Sequence, residues 1–317
     1  MGKLSRLAGV LVCSASLAAV GLQASAGVVH PAASQGRGPV DSVQYIGNGW
    51  WNDHGVVYHT PHYMGTRQNA SRSHPPQTPA VYGGGPVLTT PKMYLILWGF
   101  KSAGDPNKLK KLLKSYSQNL GGSSYNNIYT QYTGPDGNIQ NPSSQFGGLW
   151  EDNKNTIPSS PTDGQVAAES VRGVAHFGYD ANASYVVVTA HNHSTSGFGT
   201  EFCAYHSATT SGGNLVSYTN LPYIPDAGAN CGASIITAPS DETAADEGVT
   251  IVEGHEYGES VTDPNPPTGW YNNAEGEIGD ICAWQDIQND KFGKKQYTMQ
   301  PMFSNATQSC VQGYPSN

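Results

Sequence analysis

The chain has 317 residues, of which 13% are charged, about half the share usual in globular proteins, whereas glycine (38) and proline (21) are abundant. This composition excludes a coiled coil, a helical repeat and a charged disordered protein, and it is typical of a loop-rich globular protein. The formal net charge is −8, from 16 basic and 24 acidic residues. Because no basic excess exists to neutralise phosphates, we expect no nucleic-acid partner.

The first 26 residues have the pattern of a secretory signal peptide. Lys3 and Arg6 supply its positive start, residues 7–22 are apolar, and small residues at 24–26 form a cleavage site. The apolar run is short and no second one follows it, which favours a removed signal over a membrane anchor. The sequence thus predicts a secreted, extracellular protein without a membrane partner after signal removal, and we expect a monomer.

Residues 27–80 keep no period of 2 or 3.6 for more than a few positions. We predict an N-terminal extension there, either a pro-segment or a wrap of strands and loops. Its histidines His54, His59 and His62 are candidates for metal ligands, although such groups commonly lie on the surface. Residues 81–317 are predicted to form a single domain.

The predicted elements of that domain begin with a buried β-strand over residues 92–100, which is dense in β-forming apolar residues. Apolar residues at helical spacing predict a helix over 107–120 and another over 162–173. A second buried strand is expected over 183–190 and a long helix over about 242–262. Strands alternating with helices predict an α+β fold in which a mixed sheet packs against the long helix.

Four cysteines remain once Cys13 is removed with the signal. An even number in a secreted chain indicates two disulfides, for which three pairings exist. We favour the sequential pairing, because it closes two loops of similar length. The predicted bridges are Cys203–Cys231 and Cys282–Cys310.

The long helix contains the segment His255–Glu259, HEYGE, at which we expect the chemistry. Residues four apart lie on one helical face, so His255 and Glu259 can bind one Zn²⁺ ion with Glu256 beside it. This is the spacing of His-Glu-x-x-His zinc peptidases with Glu as the second ligand, and both side chains are competent zinc ligands. The ion would polarise a peptide carbonyl, and Glu256 would be the general base.

An ordinary acidic helix can contain the same spacing, but two features indicate a buried site. Gly254 and Gly258 lower helix stability, which indicates close approach of another backbone or a ligand. Apolar residues early in the helix predict that it is buried. A buried histidine and two buried glutamates need hydrogen-bonding or charged partners. Eleven of the 24 acidic residues lie between Asp241 and Asp280, and this crowding favours a cation site.

Acidic residues after the helix are candidates for the third zinc ligand. Glu277 is preferred, because a downstream Glu completes the site of gluzincins, and Asp280 is then a hydrogen-bonding partner of His255. Asp263, two helical turns after His255, and Asp280 itself are the alternative ligands.

Several segments, in the same order over about residues 80–285, resemble the phosphate-induced-protein (Exordium-like) family and its secreted microbial relatives. They are YGGGPVL at 82–88, KMYLILWG at 92–99, CAYH at 203–206, NLPY at 220–223, HEYGESVTDP at 255–264, GWY at 269–271 and EIGDICAW at 277–284. The plant members are secreted, wall-associated proteins. The family's His-Glu-x-x-Glu helix is similar to the active helix of zincins, so the resemblance supports His255, Glu256 and Glu259 and makes His206 a candidate ligand.

Taken together, the patterns predict a secreted zinc metallopeptidase with a zincin-like fold, acting on an extracellular protein or peptide. The alternative is a non-catalytic, Exordium-like extracellular protein that binds cell-wall glycans, to which its many Tyr, Trp and Asn residues are suited. A glycosidase with paired carboxylates ranks third, because a histidine between the acids has no role in that chemistry.

Overall fold

A nine-stranded mixed β-sheet is the largest element of the computed structural model, which describes residues 43–69 and 78–315. The strands are β1 (Gln44–Gly47), β2 (Trp50–Asp53), β3 (Val56–His59), β4 (His62–Gly65), β5 (Val81–Tyr82), β6 (Lys92–Trp98), β7 (Thr133–Gly134), β8 (Gly137–Asn138), β9 (Phe146–Asp152), β10 (Ala183–Thr189), β11 (Phe202–Ser211), β12 (Asn214–Leu221), β13 (Trp270–Asn272), β14 (Gly276–Glu277), β15 (Gln288–Phe292), β16 (Lys295–Met299), β17 (Met302–Ser304) and β18 (Ser309–Val311). The described residues fall within one compact unit, and none of their helices is long and apolar enough to cross a membrane.

Four α-helices accompany the strands in the described part of the chain. They are α1 (Phe100–Ala103), α2 (Leu109–Leu120), α3 (Asp163–Phe177) and α4 (Glu247–Thr262), with 3-10 helices at Asn126–Gln131, Ile224–Cys231 and Asp280–Cys282. The predicted strands and helices are thus present. The long helix begins five residues later than expected, because the Ala244 carbonyl accepts the Ser234 amide hydrogen instead of a helical one. The Glu242 carboxylate before it accepts hydrogen bonds from the amide and hydroxyl of Thr298.

The order of strands in the large sheet is β1-β2-β3-β11-β12-β10-β6-β9, and β4 also pairs with β11. Strand β10 runs parallel to β6 and β12, and β9 runs parallel to β6, whereas the remaining pairs are antiparallel. Parallel strands covered on both faces are continuously apolar, which is the pattern of β10. Val186 and Val188 pack in the core that includes α4, and Val187 packs in the core that includes α3. The fold is therefore mixed α/β with few helices, as the sequence predicted at this level.

Part of the predicted N-terminal extension belongs to the large sheet. Strands β1–β4 lie within residues 44–65, and β3 and β4 pair with β11. Each is four residues long, too short for the alternation of apolar and polar residues to be read from the sequence. The boundary at residue 80 and removal of residues 27–80 stay predictions, and the predicted signal peptide lies outside the described residues.

The two disulfides have the predicted sequential pairing. Cys203 of β11 is joined to Cys231, and Cys282 is joined to Cys310 of β18. The first bridge holds the 3-10 helix that packs against α4. The second holds the segment that follows β14, so both bridges fix backbone next to α4 and the loop after it.

Close packing of α4 against that first bridge gives a stability prediction. A methyl group at Gly248 would overlap the carbonyl oxygen of Cys231, which is fixed backbone, whereas one at Gly254 would meet the mobile end of the Met299 side chain. We expect Gly248→Ala to lower the free energy of unfolding by about 1–3 kcal/mol. Gly254→Ala should cost less, because Ala favours a helix by about 1 kcal/mol over Gly. Urea denaturation measures both, and equal stability of Gly248→Ala and wild type would contradict the packing.

Candidate metal centre

Eight ionisable side chains meet where α4 faces the sheet and the loop that follows α4. Three are imidazoles and five are carboxylates: His62, His206, His255, Glu256, Glu259, Asp263, Glu277 and Asp280. Six are fully buried; the side chains of His62 and Asp280 are 26% and 18% exposed. The cluster therefore brings together the preferred and alternative ligands on α4 and after it with the further candidates His62 and His206. The other two candidates lie elsewhere: His54 contacts Asp53, and His59 contacts the Asn48 and Thr60 carbonyls.

Helix α4 presents the predicted pair on one face. All its sixteen residues are buried, and the His255 Nε2 atom lies 3.2 Å from Glu259 Oε1. Glu259 Oε1 accepts hydrogen bonds from the amides of Gly279 and Asp280, at 3.1 and 3.0 Å. These bonds fix the carboxylate while leaving its Oε2 atom without a hydrogen bond among the described residues.

Gly254 and Gly258 do mark close contacts, but with side chains. A methyl group at Gly254 would meet Met299 and Tyr116, and one at Gly258 would meet Met302 and the Tyr129 hydroxyl. The two glycines therefore let α4 pack tightly against β16, β17, α2 and the 3-10 helix at Asn126–Gln131.

The sheet supplies the other two imidazoles. His62 and His206 are directly paired residues of β4 and β11, and their ring centroids are 5.4 Å apart. Their rings approach because paired side chains on adjacent strands stand on the same face. His206 Nδ1 lies 3.1 Å from Glu256 Oε2, and His62 Nε2 lies 2.6 Å from Asp280 Oδ2.

A tight turn after β13 supplies two further carboxylates. The Asp280 Oδ2 atom accepts the Glu277 amide hydrogen at 3.1 Å, and a side chain at Gly276 would overlap the Asp280 carboxylate. A side chain at Gly279 would press on both Glu259 and His255, with its Cβ 2.8 Å from an atom of each. Glycines at these two positions thus allow the turn to close over the helix.

The contacts of the candidate third ligands differ from the predicted arrangement. Asp280 Oδ1 lies 3.6 Å from His255 Nε2, on the side of the ring that would bind an ion. Glu277 contacts His206 at 3.5 Å and His62 at 3.7 Å. The His255 Nδ1 atom instead lies 3.1 Å from Gln300 Nε2, so Gln300 occupies the orienting position expected of Asp280. Asp263 caps α4, and its Oδ1 accepts the Thr268 amide hydrogen.

Several atoms of the cluster are buried and lack a hydrogen bond within the described residues. They are His206 Nε2, His255 Nε2, Glu256 Oε1, Glu259 Oε2, Asp263 Oδ2 and both carboxylate oxygens of Glu277. Buried polar atoms without partners cost free energy, so such convergence needs a compensating interaction. Imidazole nitrogens and carboxylate oxygens are ligands of Zn²⁺ and similar divalent cations, so these residues fit a metal ion.

The pKa values of the cluster indicate that its side chains would bind a cation in exchange for protons. Burial lowers the pKa of His62 and His255, but Asp280 and Glu259, respectively, outweigh it and raise each pKa to about 9. Burial, with the charges of His62 and His255, holds the pKa of His206 well below its usual range. Burial also raises the pKa of Glu256 and Glu277 well above theirs. A divalent cation would supply in one step the positive charge that protons supply without it.

The main residues that sequence reasoning left out of its preferred ligand set are His62 and His206. Their pairing depends on the register of two strands more than a hundred residues apart, which no local pattern encodes. His206 was signalled by the CAYH segment of the family resemblance. No sequence feature indicated that Gln300 would contact His255.

Comparison with protein-family models, curated proteins and solved structures gives no match to this chain. The resemblance to the Exordium-like family therefore stays a prediction, and the geometry of the cluster is the evidence that bears on function.

The two raised histidine pKa values give a pH prediction for protein freed of metal with a chelator. Because the folded pKa of about 9 exceeds the unfolded value of 6.5, the stabilisation is complete below pH 6.5 and is lost as pH rises through 9. Glu256 and Glu277, whose pKa values are also raised, change stability in the same direction. Each histidine contributes on the order of 3 kcal/mol, at about 1.4 kcal/mol per pKa unit, so we expect the free energy of unfolding to fall by roughly 6 kcal/mol between pH 6.5 and 9.

Urea denaturation across this pH range, with chelator and then with added Zn²⁺, measures the effect. Zinc should abolish the fall, because the metal displaces the same protons. A chelated protein whose stability rises from pH 6.5 to 9 would contradict the electrostatics of the cluster.

Proposed function

We propose that this chain is a secreted zinc-dependent metallopeptidase with a zincin-like active helix. The observation that carries the proposal is the proximity of His255 and Glu259 on one face of α4, with His255 Nε2 3.2 Å from Glu259 Oε1. His255 Nε2 and Glu259 Oε2 are buried and make no hydrogen bond among the described residues. His255, Glu259 and Asp280 would hold the ion, because His255 Nε2 lies 3.2 Å from Glu259 and 3.6 Å from Asp280. A bound zinc would supply Lewis-acid polarisation of a substrate carbonyl.

Glu256 has the properties of a general base. Its Oε2 atom lies within hydrogen-bonding distance of His206 Nδ1, which holds the carboxylate in place, while its Oε1 atom makes no hydrogen bond within the described chain. Burial raises its pKa, and a raised pKa makes a carboxylate a stronger base near neutral pH. Glu256 would accept a proton at Oε1 and return it to the leaving amine. Substrate would approach past His62 and Asp280, the exposed members of the cluster.

One observation favours a second candidate, a non-catalytic extracellular binding protein of the Exordium-like type with a structural metal. Glu256 is 0% exposed, and catalytic zinc sites keep a position open to substrate. The glutamate on α4 would then support the fold of a glycan-binding surface rather than move a proton.

The two candidates are separated by replacing Glu256 isosterically. Glu256→Gln should lower peptidase activity on a denatured protein substrate by about 10²–10⁴-fold, the usual contribution of a general base, and should retain zinc. Glu253→Gln is the matched control, because Glu253 is an equally buried carboxylate of the same helix that makes no hydrogen bond among the described residues. It should leave activity unchanged.

Zinc content by mass spectrometry accompanies both assays. A wild-type protein that binds zinc without hydrolysing peptides would favour the non-catalytic binding protein with a structural metal. A wild-type protein that binds no zinc would refute both the catalytic and the structural role of the metal. Equal activity of Glu256→Gln and wild type, with both folded, would refute the assigned base.

Secretion is proposed from the predicted signal peptide and is consistent with the two disulfides, which form in oxidising compartments. Expression with the native N-terminus in a secreting host should release a protein that starts at Gly27, measured by N-terminal sequencing of the medium. Cell-retained protein that still carries Met1 would contradict export.

A further inference from the structure

We propose that the cluster holds two divalent cations, which share the Glu259 carboxylate. This inference rests on the proposed metal centre and extends it from one ion to two. Its starting point is that the ligand atoms fall into two groups instead of one.

The two groups have Glu259 in common. His62, Glu259 and Asp280 offer three ligand atoms within 4.8 Å of one another, and so do His206, Glu259 and Glu277. His255 adjoins the first group, since its Nε2 lies 3.2 Å from Glu259 Oε1 and 3.6 Å from Asp280 Oδ1. Glu259 Oε2, the oxygen left without a hydrogen bond among the described residues, lies 3.9 Å from His62 Nε2 and 3.6 Å from His206 Nδ1, so this one atom can bridge two cations.

The unbonded atoms are present in both groups. Glu259 Oε2 belongs to both groups and His255 Nε2 adjoins the first, whereas His206 Nε2 and both oxygens of Glu277 lie in the second. Glu277 and His206 are each 0% exposed, so neither can satisfy these atoms with bulk water. A single ion held by His255, Glu259 and Asp280 would leave the second group uncompensated.

Charge favours two cations over one. With five ionised carboxylates and neutral imidazoles, the cluster has a formal charge of −5. One divalent cation reduces this charge to −3, and two reduce it to −1. The Lys and Arg ion pairs of the described residues lie elsewhere, on Glu151, Asp152, Glu169, Asp180 and Asp241. Metal ions are therefore the positive charge best placed to compensate the cluster.

The sheet explains why two sites form side by side. His62 and His206 are directly paired across β4 and β11, so each strand delivers one imidazole to one group. Their centroid distance of 5.4 Å is compatible with ions about 3.5–4 Å apart, the spacing of two-metal enzymes. The mixed nitrogen and oxygen ligands suit Zn²⁺, Co²⁺ or Mn²⁺.

The test is the metal content of the full secreted chain after equilibration with excess Zn²⁺ and removal of free ion. Mass spectrometry should find two zinc ions per wild-type chain, one in Glu277→Gln and two in the control Glu253→Gln. Glu259→Gln should lose at least one ion and weaken the other, because Glu259 is the residue that both groups share. Circular dichroism verifies that each variant is folded.

A second measurement needs no variant. Wild type loaded with Mn²⁺ should show the electron paramagnetic resonance spectrum of a spin-coupled pair. One zinc per wild-type chain, retained in Glu277→Gln, together with an uncoupled Mn²⁺ spectrum, would overturn the inference. If a protein with one ion still hydrolyses peptides, the peptidase proposal stands and the two-ion inference fails. If a protein with two ions does not hydrolyse peptides, the two-ion inference stands and the peptidase proposal fails.

Discussion

The burial of ionisable groups on α4 is the constraint on which the surrounding structure depends. A helix whose sixteen residues are all buried cannot place its charges in water, so each charged group needs a neighbour that neutralises it or donates to it. The nearby loops meet this need with backbone amides at Glu247 and Glu259, whereas burial raises the pKa of Glu253, which makes no hydrogen bond among the described residues, and so favours its neutral form. Glu247 accepts from the amides of Ile235 and Ile236, as Glu259 does from Gly279 and Asp280. The turns around α4 have the shapes that bring these amides to it.

How far the site could be predicted follows from the range of each interaction. The proximity of His255 and Glu259 is local, since it needs only a helix and a separation of four residues, and the motif therefore located it correctly. Which downstream acid approaches His255 is decided by a turn that Gly276 and Gly279 tighten. Glu277 and Asp280 are three residues apart, and spacing alone cannot tell which of the two turns toward the helix.

The fold shows the same division between local and distant information. Strands β6 and β10 are long, apolar runs, and α2 and α3 have clear helical spacing, so the sequence revealed them. The four-residue strands β1–β4 could not be recognised, and their place beside β11 depends on pairing with residues far along the chain. The predicted start of α4 was too early because the chain before Glu247 bonds to distant residues. The Ala244 carbonyl accepts the Ser234 amide hydrogen, and the Glu242 carboxylate accepts that of Thr298 in β16.

The hydrogen bond between His62 and Asp280 spans 218 residues of sequence and therefore constrains the order of events during folding. Contacts between residues so distant form slowly, because a long loop must close before they contribute. A chain growing from its N-terminus holds His62 for most of its synthesis before Asp280 exists. The His62–Asp280 pair, and with it the proposed cation site, can therefore form only after nearly the whole chain has been made.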